Sequence, residues 1–154
     1  PNFSVSDEDY LDLDKYATHM ENNFNEMAKY INSNKELMDK LGVLVKELDE
    51  NPGVKENGKK LLELMDNWDK KMMQRMSKAY DDVENFPNKF LADYLFILDE
   101  IKGDIPNVSE GILKSLKSHD EKWVELKKEI DQINQINIPE YNKELWSIGI
   151  GALN

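Results

Sequence analysis

The first third of the chain carries apolar residues at an almost unbroken three-four spacing. Tyr10, Leu13, Ala17, Met20, Phe24, Met27 and Ile31 fall 3-4-3-4-3-4 apart, which lines one helix face as the seam of a coiled coil or bundle does. The series resumes in register with Met38, Leu41, Val45 and Leu48, and its only polar member is Asn34. Two readings follow. One is a single helix from about Asp7 to Glu50, about 65 Å long at 1.5 Å per residue. The other is a break at Asn32-Ser33-Asn34, with Ser33 and Glu36 forming a capping box for a second helix. The polar cluster favours a kink or break.

Punctuation further along divides the rest into helices. Asn51-Pro52-Gly53 is a stop, and Pro52 also suits the opening turn of the next helix. A second long helix is expected over Val54 to Val83, presenting Leu61, Met65, Trp68, Met72, Met76, Ala79 and Val83. Pro87 pushes Phe86 out of the helical region, so the chain turns over Glu84 to Asn88. A third, shorter helix carries Phe90, Leu91, Tyr94, Leu95, Leu98 and Ile101 and stops at Gly103, where a left-handed cap is cheap. After the turn Asp104-Ile105-Pro106-Asn107, Ser109 caps a fourth helix with the stripe Ile112, Leu116, His119, Trp123, Leu126, Ile130 and Ile133. Pro139 is expected to end it and to open a short fifth helix with Tyr141, Leu145 and Ile148.

No segment alternates apolar and polar residues over strand length, so a sheet has nothing to build from. The fold class is all-α, an elongated antiparallel up-and-down bundle of four to five helices, since long amphipathic helices joined by short turns pack as antiparallel neighbours. At 154 residues a single domain spanning 1-154 can bury a core without staples. Staples are excluded in any case, because there is no cysteine for disulfides or for Cys-ligated metal.

Charge narrows the partners. Thirty-one acidic against 20 basic residues leave a net charge of −11, which disfavours nucleic acid and anionic membrane, since binders of both depend on Lys and Arg. No apolar run approaches the roughly 20 residues of a spanning helix, so membrane insertion is not expected. The start, Pro1-Asn2-Phe3-Ser4-Val5, is neither a signal peptide nor an initiator methionine and points to a fragment or processed product.

Catalytic and metal chemistry find little support. A di-iron bundle site needs Glu-x-x-His on two helices, yet Tyr16 precedes His19 by three residues and Leu116 precedes His119. His119 lies on an apolar stripe, which leaves a buried acid/base or pH switch open. Without a visible nucleophile or second base, a hydrogen-bonded histidine at the bundle edge is the favoured reading. The carboxylates Asp7-Glu8-Asp9, Asp12, Asp14 and Asp81-Asp82 meet no calcium-loop pattern and suit helix ends and faces. Met65, Met72, Met73 and Met76 read as core filling rather than an adaptable groove. No catalytic, cofactor-binding or metal residue is assigned.

The tryptophans are the strongest contact candidates. Trp68 and Trp123 sit mid-helix on apolar stripes and should anchor the core. Trp146 lies in the terminal segment Leu145-Trp146-Ser147-Ile148, whose tail either folds back on the bundle or docks on a partner, with intramolecular packing preferred.

One stretch carries a family resemblance. Trp68-Asp69-Lys70, then Tyr80-Asp81-Asp82-Val83-Glu84-Asn85-Phe86-Pro87-Asn88-Lys89, then Trp123 and Leu126 resemble the C-terminal helical region of large bacterial BNR-repeat proteins. These are related to sortilin-type propellers and commonly labelled glycosyl hydrolases. The most specific element is Asp-Val-Glu-Asn-Phe-Pro-Asn-Lys with a Trp about 17 residues before its Asn85. The similarity covers roughly Leu61 to Gly151, and the first 50 residues match only as helix.

The resemblance implies an exported parent with N-terminal β-propeller repeats, of which this bundle is a C-terminal, non-catalytic accessory domain. Its partner would be the propeller of the same polypeptide or another protein, with a homodimer also open. No Asp-box occurs in the chain, and the paired carboxylates of a glycosidase cannot be located in it, so no catalytic residue carries over. Phe86 and Pro87 fix an extended exit from one helix, Asn85 and Asn88 can cap the flanking helix ends through their side chains, and Phe86 can plug the end of the core. Phe86→Ala is accordingly expected to cost a few kcal/mol, and an unchanged melting temperature would contradict that role. The rival reading is a free-standing acidic binding protein, of inhibitor or immunity type, that blocks a basic partner.

Overall fold

The computed structural model describes residues 7–75, 89–103 and 109–154. It is all-α, and no strand occurs among the described residues. The elements are α1 (Asp7–Val45), α2 (Pro52–Met72), α3 (Phe90–Gly103), α4 (Glu110–Gln132), a π-helical turn (Ile133–Asn137) and α5 (Ile138–Ser147). The expected features at Met76, Ala79, Val83 and Glu84 to Asn88, including Phe86, Pro87 and Asn88, lie outside the described residues, as does the side chain of Tyr10.

Contacts group the chain into two compact units. The first takes Pro1–Lys29 and Met73–Val124, the second Tyr30–Met72 and Glu125–Asn154. In the first unit the core is Met20 and Met27 of α1, Phe90, Tyr94, Ile97, Leu98 and Ile101 of α3, and Leu116 and Trp123 of α4. In the second it is the run from Ile31 to Leu48, Leu61 to Met72 of α2, Leu126 to Ile133, and Ile138, Tyr141 and Leu145 of α5.

The expected break in the first helix does not occur. α1 runs through Asn32-Ser33-Asn34 without interruption, because Asn34 occupies the seam rather than leaving it. It is 2% exposed between buried Ile31 and Met38, and its Nδ2 donates to the Met65 carbonyl at 3.0 Å. A cap would need Ser33 outside the helix, whereas burial of Met27, Ile31, Met38 and Leu41 at heptad spacing continues on both sides. Packing outweighs the local preference.

α2 ends at Met72, short of the expected Val83. Lys70 and Lys71 fill its last turn, where cations suit the helix dipole, and Met73, Gln74 and Arg75 follow outside any helix. Its seam starts one step earlier than expected, since Gly58, three residues before Leu61, is buried as well. A Cβ there would lie 2.7 Å from Val45 Cγ1 and closer still to the Tyr141 hydroxyl, so glycine permits the close approach of α1 and α5.

α3 starts where expected and runs through Gly103, whose backbone does not take the left-handed form expected of a cap, and the turn expected over Asp104 to Asn107 lies outside the described residues. The buried face of α3 includes Ile97, while Leu95 and Phe96 are exposed. The Ser109 cap of α4 is made, with the Ile112 amide donating to Ser109 Oγ at 3.2 Å. Pro139 does not stop the chain there. It follows the π-helical turn and opens α5, because proline lacks the N–H that an α-helix would direct to residue 135 and its ring crowds that carbonyl. The wide turn absorbs the conflict, with the Ile138 amide bonding to Ile133 O, five residues back.

α5 closes on a Schellman motif. Gly149 takes φ +82°, its amide bonds to Trp146 O at 3.1 Å, and the Ile150 amide reaches Leu145 O at 2.9 Å. The reversal brings the tail back onto its own unit. Leu153 is buried, its amide donates to Asn142 Oδ1 at 2.7 Å, and Lys40 Nζ donates to the Asn154 carbonyl at 2.6 Å.

Candidate functional site

Four polar side chains converge in the first unit. His19 and Asn23 stand one turn apart on α1 and so share a face. Tyr94 comes from α3 and Asp120 from α4. His19 Nε2 lies 2.7 Å from Asp120 Oδ2, and Tyr94 Oη donates to Asp120 Oδ1 at 2.8 Å. Asn23 Nδ2 donates to Tyr94 Oη at 3.0 Å and, more weakly, approaches Asp120 Oδ1 at 3.4 Å. The short contact to a carboxylate assigns the Nε2 proton of His19 to Asp120. The 3.4 Å approach of Asn23 Nδ2 to the same nitrogen is then a contact between two donors, not a bond.

Electrostatics explain why the cluster holds. Tyr94 is fully buried, and burial pushes its hydroxyl well above the ordinary tyrosine range. The Asp120 charge adds to that rise, and the Asn23 bond opposes it. The phenol therefore stays a donor, and Asp120 stays its acceptor.

A histidine oriented by a carboxylate is half of a base-activated nucleophile. Among the described residues no hydroxyl or thiol bonds to His19, whose partner is the Asp120 carboxylate. Both oxygens of Asp120 are engaged by its neighbours. The arrangement ties three helices together. Beside it runs a shallow cleft of about 390 Å³ lined by Tyr16, Leu113 and Val124 with Lys117, Asp120 and Glu121.

His119, adjacent in sequence, takes the edge position. It is part-buried, its Nδ1 lies 2.8 Å from the Ser115 carbonyl, and its ring stacks on Phe90 with centroids 5.9 Å apart. Phe90 also stacks on Trp123 at 6.5 Å. No group of three or more metal-ligating residues occurs among the described residues, and no helix there is long and apolar enough to cross a membrane.

The contact candidates separate sharply. Trp68 is fully buried in the second unit, and its Nε1 donates to the Leu126 carbonyl at 2.8 Å. Trp123 is buried in the first unit. Trp146 is 67% exposed, although the tail that follows it folds back.

Sequence spacing misses Asp120 as the partner of His19, because the carboxylate arrives from 101 residues away, and with it the Asn23 and Tyr94 bonds around the same carboxylate. Only Tyr94 leaves a trace, as a hydroxyl on an apolar stripe that needs a partner once buried. Comparison with known proteins finds no family model, curated protein or solved structure that matches this chain.

Proposed function

We propose that this chain is a non-catalytic helical accessory domain that works by contact, within an exported protein of the BNR-repeat, sortilin-like class. The observation that carries the contact role is Trp146, a large aromatic left 67% exposed while the other two tryptophans are buried. Exposed tryptophan is uncommon on surfaces that meet only water and is enriched at the centre of interfaces. The saturated bonding of Asp120 supports the non-catalytic part. The parent class, the propeller partner and the exported location rest on the resemblance of Trp68, the Phe86-Pro87-Asn88 turn and Trp123 to that family.

Immunoblotting of fractionated source cells with antibody to this chain tests the proposal. A band several times larger than 18 kDa outside the cytoplasm is expected. A cytoplasmic band of 18 kDa would overturn it. Turnover of aryl glycosides by the purified chain would overturn the non-catalytic part.

A second reading is favoured by the net charge of −11: an acidic protein that blocks a basic partner. The small cytoplasmic band would put it first, together with capture of a basic protein in a salt-sensitive manner.

A further inference from the structure

The outer face of the last helical stretch carries a second seam. Ile136 of the π-helical turn and Pro139, Lys143 and Trp146 of α5 are all exposed, and the last three fall 4-3 apart, the spacing at which two helices interlock. The opposite face, Ile138, Tyr141 and Leu145, is buried in the second unit. Ile136 is 48% exposed and Trp146 67%. Beside the seam, Glu140 is exposed as well, and neither Glu140 nor Lys143 joins an ion pair among the described residues.

We infer that this face pairs with the same face of a second copy of the chain, antiparallel about a two-fold axis beside Tyr141. The inference rests on the reading of Trp146 as a contact residue. With the axis there, Ile136 of each copy faces Trp146 of the other, and Pro139 faces the Lys143 stem. The Lys143 ammonium then falls about one residue, roughly 1.5 Å along the axis, from Glu140 of the other copy. A two-fold interface repeats each contact, so both apolar ends are covered and both charges are matched twice. A basic partner would leave Lys143 facing like charge and an acidic one would do the same to Glu140, whereas a second copy matches both.

The pairing is weak and reversible. Two short helices cover less than the roughly 1,200 Å² of a standard interface, and each copy brings a charge of −11, whose repulsion salt relieves. Association therefore grows with protein concentration and, up to moderate ionic strength, with salt.

Sedimentation velocity of the full chain from micromolar to millimolar concentration tests this. A concentration-dependent dimer is expected, accompanied by a blue shift of the emission from Trp146, the exposed tryptophan, that Trp146→Phe removes. Trp146→Ala weakens the dimer about tenfold or more. Glu140→Lys alone and Lys143→Glu alone weaken it, and the double exchange restores it. All three substituted positions are exposed, so each variant should keep the parental melting temperature at dilute concentration. A monomer throughout, or a double exchange no better than the singles, would overturn the pairing. Neither result bears on the accessory-domain reading, which is judged on the native gene product.

Discussion

The amide of Asn34 on α1 donates to the main-chain carbonyl of Met65 on α2, inside a seam that is otherwise apolar. The same amide contacts Met38 Sδ at 3.4 Å, while Asn34 Oδ1 is buried without a partner. A polar residue at one seam position fixes the register of two helices at some expense in stability, because a mispaired register buries the amide with no acceptor at all.

Asn34→Leu should therefore raise stability by about 1 kcal/mol, by removing a buried orphan acceptor and adding apolar burial. Asn34→Asp should lower it by about 2 kcal/mol or more, since a carboxylate would be buried without a cation. Urea midpoints of the two variants check both signs. Destabilisation by leucine would show that the bond to Met65 is worth more than the orphan acceptor costs.

Gly58→Ala poses two effects against each other. Alanine gains about 1 kcal/mol in helix propensity, but its Cβ would collide with the Tyr141 hydroxyl and with Val45 Cγ1. Tyr141 is itself held, its hydroxyl donating to the Val54 carbonyl at 3.0 Å. Overpacking of about 1–3 kcal/mol should win, lowering the melting temperature. A stabilised variant would mean that α5 yields without loss.

Asp120→Ala should cost about 2 kcal/mol, because it leaves the buried Tyr94 hydroxyl without its acceptor. His19→Ala should cost about 1 kcal/mol or less, since its bond to Asp120 is half exposed and water can replace it. In a double-mutant cycle, Tyr94→Phe should recover about 1 kcal/mol of the Asp120→Ala loss. Additive effects would separate the two residues energetically.

Alkaline pH should weaken the fold through the same tyrosine. Burial raises Tyr94 most, with Asp120 adding to the rise, and burial followed by Glu144 raises Tyr141. A group whose pKa is higher folded than unfolded holds its proton better in the native state. Its contribution is complete below the unfolded value near 10 and is lost as pH climbs beyond it. The phenolate absorbance of Tyr94, read as the difference between the parent and Tyr94→Phe, should appear late and coincide with unfolding, and Tyr94→Phe should flatten the alkaline fall in melting temperature. An identical fall in the variant would remove Tyr94 from the account.

The helices were legible because their signals are local. The Asn51-Pro52 stop and the Ser109 cap each depend on neighbours a few residues away. What was not legible depends on distant groups. Asn34 looks like a break until Met65 is placed opposite it, and Gly58 looks like any helical glycine until Tyr141 approaches. Leu95 and Ile97 are equally apolar, and only the packing of α3 decides which one is buried. His19 has no carboxylate one turn away in its own helix, and its partner Asp120 comes from another helix.

The wide turn at Ile133–Asn137 acts as a phase shifter. In an α-helix each residue advances the direction of its side chain by about 100°, so the extra residue held in the turn sets which way everything after it points. Shortening the turn by one residue would swing α5 by roughly that angle about its own axis. Tyr141 and Leu145 would leave the core, and Trp146 would turn toward it. The outward bearing of that tryptophan is thus dictated by residue count upstream, not by anything in its own surroundings.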